Sequence, residues 1–110
     1  MSAALIWTTF ADEAGAAEAA SALLDERLVA CANLIPSLRS MFVWRGERGE
    51  ARECGALFKT DARLLEMACA RLAELHPYET PAISGWNADA AAAATVQWLG
   101  ELGAEQGRWT

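Results

Sequence analysis

One histidine and three cysteines bound the chemistry open to this chain. His76 stands before Pro77, at the expected end of a helix. There it either caps a carbonyl and favours the helix dipole, or acts as a metal ligand or proton carrier in a cleft between subunits. Cys31 lies in an apolar run and reads as a small buried hydrophobe. Its alternative role is that of a soft metal ligand or reactive thiol, which needs a lowered pKa; the nearest cation in sequence is Arg27. Cys54 and Cys69 read as packing residues.

Further candidates for ligand binding flank these. Lys59 and Thr60 close an expected strand immediately before a helix start, where backbone N–H groups attract anions; the alternative is a lysine reaching from the sheet edge into water. Tyr78 and Glu79 follow the helix stop: the phenol suits a packed ring with a bonded hydroxyl, and the carboxylate could pair with an arginine or help bind a cation. Asn33 would satisfy backbone groups near a bulge, and Trp44 would fill an interface.

None of this forms a catalytic constellation. Nucleophilic catalysis needs a base within reach and an orienting third group, and a lone histidine must find both in the fold or in another subunit. A small enzyme or thiol protein using Cys31 and His76 is the competing reading. A phosphate-cradling loop of the acylphosphatase kind would need glycines and an arginine after the first strand, and TTFADEAGAA from Thr8 carries no arginine. Nor is there a Cys-x-x-Cys pair or a four-ligand zinc pattern.

Charge narrows the partners. Nine Lys and Arg stand against fifteen Asp and Glu, a net charge of −6. Nucleic acid and anionic membrane require a basic face, and the densest basic stretch, Arg45 to Arg52, is interrupted by Glu47 and Glu50. An RNA-recognition module also needs aromatics on its middle strands, whereas ALFKT offers one. The odd cysteine count, the lack of a basic signal region and the lack of an apolar run of about 18 residues make the chain read as cytoplasmic.

These residues must be positioned by about one domain's worth of chain, 110 residues, with 104–110 expected as a frayed tail. Ala3 to Phe10 reads as a buried strand. Asp12 and Glu13 open a helix whose apolar positions run from Ala16 to Leu28 and which ends near Arg27. Leu28 to Ile35 reads as strand, is interrupted at Pro36 by an edge position or a bulge, and resumes from Ser40 to Trp44. GERGEAR, Gly46 to Arg52, is a hairpin signal, and Cys54 to Thr60 the returning strand. Asp61 caps a second helix that Pro77 stops. Pro81 to Trp86 is a last short strand, and Asp89 to Leu102 a third helix on which Trp98 reads as core. The order is that of an α+β, ferredoxin-like split β-α-β fold with an additional C-terminal helix.

Length then argues for self-association. The second strand spans about 50 Å or more, and the first helix covers about 25 Å. The overhang carries Met41, Phe42, Val43 and Trp44, and a long apolar edge aggregates unless paired. Closed cyclic assembly satisfies such edges; folding the third helix over the arm is the alternative.

RLVACANLIP from Arg27, SMFVWRGE from Ser40, LFKTD from Leu57 and LHPYETPAI from Leu75 together resemble the CutA family of divalent-cation tolerance proteins, in register from about Leu5 to Leu99. The resemblance implies a homotrimer with the architecture of the PII signal proteins, a non-catalytic role in response to metal, and copper or another divalent cation as a ligand. Members proposed to bind copper are thought to use a cysteine near the end of the first strand and a histidine pair; here Thr8 and Leu75 occupy two of those positions, leaving His76.

Overall fold

A short apolar run, with every second residue from Ala4 to Phe10 buried, places β1, Ala3–Phe10, in the middle of an antiparallel sheet. The computed structural model describes residues 2–109, with side chains to residue 102; the expected frayed tail at 104–110 lies outside the residues so described. The remaining elements are α1 (Glu13–Asp25), β2 (Cys31–Trp44), β3 (Glu47–Asp61), a 3₁₀ turn (Ala62–Leu64), α2 (Leu65–Leu75), β4 (Ser84–Asn87) and α3 (Ala93–Trp109). The sheet runs β2-β3-β1-β4, the split β-α-β order of ferredoxin-like and PII-like folds.

One sheet face is dry. Ile6, Phe10, Ala56 and Phe58 pack against Ala16, Ala20 and Leu23 of α1 and Ala68 and Leu72 of α2. Asp12 starts α1 by accepting the Gly15 N–H at 2.7 Å. The helix ends in a Schellman motif: Leu28 N–H bonds Leu23 O and Arg27 N–H bonds Leu24 O, with Arg27 at φ 60° where glycine is usual. That stop explains why β2 begins at Cys31 and not at Leu28.

The other face follows from register. Leu5, Trp7 and Thr9 of β1 lie beside Lys59, Leu57 and Gly55 of β3, which in turn lie beside Cys31, Asn33 and Ile35 of β2. Trp7 lies over Gly55 so closely that a Cβ there would stand 2.5 Å from the indole and 2.7 Å from Leu38. Gly55→Ala is therefore expected to lower stability by about 1–3 kcal/mol in chemical denaturation, since overpacking displaces a large ring. An unchanged midpoint would show that Trp7 moves aside freely.

β2 and β3 form a single long hairpin, and Pro36 does not end a strand. One extra residue sits between Ile35 and Leu38, with Ser37 at φ 62°: a bulge on the edge strand, one of the two options the proline allowed. The returning strand begins at Glu47, seven residues earlier than expected, because the turn is only Arg45 and Gly46, at φ 52° and 82°. Two positive φ values match the twist of the flanking strands, a type I′ turn. The charged residues after it are exposed strand, not loop. The hairpin makes the molecule 45 Å long against 27 and 23 Å. Met41, Phe42, Val43 and Trp44 are 44–66% exposed, and α3 packs on β3 and β1, not over the arm.

The last elements also shift. β4 forms at Ser84–Asn87, not Pro81 to Trp86, because Thr8 Oγ1 donates to Ala82 O at 2.8 Å and holds that segment off the ladder. α3 begins at Ala93, not Asp89. Trp98 is nearly half exposed; among the described residues of this helix, Leu99, Gly100 and Leu102 are buried.

Candidate functional site

The segment from His76 to Ile83 carries most of the candidate chemistry. It wraps around the end of β1, from the helix-covered face to the open one. His76 is 6% exposed. Its ring stacks on Phe10 with centroids 4.2 Å apart and planes within 6°. Nε2 lies 2.8 Å from Thr9 O, and Nδ1 accepts the Tyr78 N–H at 3.2 Å. A carbonyl can only accept and an amide N–H can only donate, so these partners assign the neutral Nε2–H tautomer. Both ring nitrogens are taken.

Tyr78 emerges on the open face. Its hydroxyl donates to Glu53 Oε2 at 2.6 Å, and the Ser40 and Thr9 hydroxyls also favour the charged form of this carboxylate. Burial alone would raise the Glu53 carboxyl; the three hydroxyl donors outweigh it and hold it below the ordinary range. Burial, then the bond and charge of Glu53, then the charge of Asp12 push the Tyr78 phenol well above its ordinary value. Three chain segments thus bring a hydroxyl toward Glu53 at the root of the hairpin: β1 with Thr9, β2 with Ser40, and the loop after α2 with Tyr78, which is bonded to it.

Beyond Tyr78, the loop meets the tip of the hairpin. Trp44, Arg45, Tyr78, Glu79 and Thr80 line one cavity of about 220 Å³. Three candidates from the sequence, Trp44, Tyr78 and Glu79, therefore converge, with His76 as a buried support behind them.

The others lie elsewhere. Cys31 and Lys59 are cross-strand partners on the open face, four residues along the sheet from Gly55 and Thr9, roughly 13 Å away. The Cys31 thiol lies 3.5 Å from Asn33 Oδ1, so Asn33 serves the thiol and not the bulge. Lys59 reaches toward this face, but Thr60 is fully buried and donates to Leu28 O at 2.7 Å. A Thr60 hydroxyl available to an anion is thereby corrected: strand β3 runs one residue further, and Asp61 caps the 3₁₀ turn by accepting from Arg63 N–H at 3.1 Å. Burial raises both the Cys54 and Cys69 thiols, consistent with packing residues.

Sequence reasoning missed Glu53, Ser40 and Thr9. The signal was present: once the strand is extended back from Leu57 in steps of two, Glu53 falls on the same face as Trp7, an ionisable residue facing an indole.

A resident copper ion does not fit His76. Its nitrogens serve backbone groups, the Thr8 hydroxyl is given to Ala82 O, and no group of three or more His, Cys, Asp or Glu suited to a metal exists among the described residues.

These features place the chain among known proteins. A family model described as the CutA1 divalent ion tolerance protein matches residues 4–102. A divalent-cation tolerance protein CutA from Pyrococcus horikoshii is 40% identical over 95 residues, covering 86% of this chain and 92% of that one. Another from Thermotoga maritima is 37% identical over 97 residues, covering 88% and 95%. The crystal structure of CutA1 from Ehrlichia chaffeensis matches with a TM-score of 0.86 at 31% identity, over 92% of this chain and 94% of that one. With nearly its whole length matched in sequence and in fold, the chain belongs to the CutA1 divalent ion tolerance family.

Proposed function

We propose that this protein acts in divalent-ion tolerance as a non-catalytic, PII-like homotrimer in a reducing, cytoplasmic compartment, binding a small ligand in the clefts between its subunits. The observation that carries this reading is the hairpin. Residues 41–44 project from the body with large apolar side chains in water. The sheet has two free edges, β2 and β4, which differ from each other. Pairing one kind of edge with the other is head-to-tail, and a head-to-tail contact that closes makes a ring and leaves no edge exposed. Closure at three follows the resemblance to the family. Three unpaired thiols among the described residues suit a reducing compartment.

The enzyme alternative draws little support. Cys31 lies four residues along the sheet and two strands across from Thr9, whose carbonyl holds His76, so neither Cys31 nor His76 orients the other.

Light scattering on a size-exclusion column tests the assembly. The expected mass is three times 11.8 kDa. The double substitution Met41→Asp with Val43→Asp touches only exposed side chains and is expected to give a folded monomer. A wild-type monomer at micromolar concentration, or a double variant that stays trimeric, sinks the proposal.

A further inference from the structure

We infer that the cavity between the hairpin tip and the loop after α2 is a binding site for a free α-amino acid with an aromatic side chain. This names the ligand class for the inter-subunit cleft proposed above and rests on that reading.

Four features converge. Arg45 and Glu79 line the same cavity of about 220 Å³, yet they form no ion pair with each other. A guanidinium and a carboxylate facing one small space without meeting leave room for a molecule that carries both complementary charges. The guanidinium takes a planar carboxylate by two parallel bonds, and Glu79 takes the ammonium. The walls are aromatic: Trp44 is half exposed, and Tyr78 is fixed because its hydroxyl is committed to Glu53 at 2.6 Å. Arg45 lies 5.3 Å from the Trp44 ring centroid, so the indole already steadies the cation. Both sides are set by backbone: Arg45 sits in a two-residue turn with positive φ, and the loop is anchored through His76 and Tyr78. The chain's charge of −6 opposes a polyanion such as a nucleoside triphosphate but costs a zwitterion nothing.

Isothermal titration calorimetry with free phenylalanine tests this, run on samples whose mass is checked by light scattering. Phenylalanine amide lacks the carboxylate, and hydrocinnamate lacks the ammonium. Saturable binding of phenylalanine is expected, with each analogue weaker by about tenfold or more, equivalent to about 1.4 kcal/mol. Arg45→Gln is expected to abolish the preference for phenylalanine over its amide. Glu79→Gln is expected to abolish the preference over hydrocinnamate. Both positions are exposed, and unchanged circular dichroism confirms the fold. A trimer that shows no saturable heat overturns this inference and leaves the assembly standing. A monomer that binds with the stated pattern supports the site and removes the assembly. Binding indifferent to both substitutions, or hydrocinnamate as tight as phenylalanine, overturns the site.

Discussion

His76→Ala is expected to destabilise the protein by about 3–5 kcal/mol, the cost of removing a large buried ring. The substitution deletes the stack on Phe10 and leaves Thr9 O and Tyr78 N–H without partners in a site from which water is nearly excluded. A buried backbone group left unpaired costs about 1–3 kcal/mol by itself. In a chain of this size the loss corresponds to a melting temperature lowered by more than about 10 °C. The loop carrying Tyr78 and Glu79 loses its anchor, so ligand binding should weaken in parallel. A melting point within a few degrees of the wild type would show that the imidazole is dispensable to the fold and reopen its candidacy as a ligand.

The second large effect is expected at Glu53. Replacing it with alanine strips the acceptor from Tyr78 and removes the carboxylate that the Ser40 and Thr9 hydroxyls favour, at about 1.5–3 kcal/mol, lessened where solvent reaches the half-buried carboxyl. A double-mutant cycle with Tyr78→Phe isolates the 2.6 Å bond, whose coupling should be about 1.5–3 kcal/mol because the acceptor is charged. The pair also sets a pH window. Glu53 has a folded pKa below its ordinary 4.5, so its contribution is complete above that pH and is lost as pH falls through the folded value. Tyr78 has a folded pKa above its ordinary 10, so its contribution is complete below pH 10 and shrinks as the pH rises past it. Glu53→Gln should flatten the acid limb of the stability profile, and Tyr78→Phe the alkaline limb. Wild-type and variant profiles of the same shape would show that the network does not carry this dependence.

Much of the architecture is legible before any coordinates. The apolar run from Ala3 to Phe10, the Asp12 cap and the stripe from Leu64 to Leu75 specify elements through local rules of burial and capping, and those elements form in place. What local rules miss depends on cross-strand geometry. Glu47 to Glu53 are polar enough to pass for a loop because their strand neighbours face solvent and supply no apolar alternation. Arg27 and Arg45 adopt positive φ without being glycine, so neither the stop of α1 nor the two-residue turn announces itself by composition. The site divides along the same line. Trp44, Tyr78 and Glu79 stand out by residue type. Glu53, Ser40 and Thr9 matter only because three separate strands and a loop gather their oxygens around one carboxylate, a relation invisible in a linear string. Thr60 shows the converse: a plausible hydroxyl at a helix start is consumed by the neighbouring loop.

The single inserted residue at Pro36–Ser37 has a consequence for how this hairpin can change. Before it, odd-numbered residues of β2 face the open side of the sheet; after it, even-numbered ones do, which is why Ser40 can reach Glu53 and why Leu38, Phe42 and Trp44 line up with Trp7. Losing that one residue would turn the ribbon over, presenting Arg39, Met41 and Val43 where the aromatic row now stands. Trimming or growing the hairpin by matched pairs keeps its parity, whereas any odd change in one strand exchanges its two sides, so drift in length among descendants of this chain is constrained to even steps or must carry a second kink to restore the original handedness.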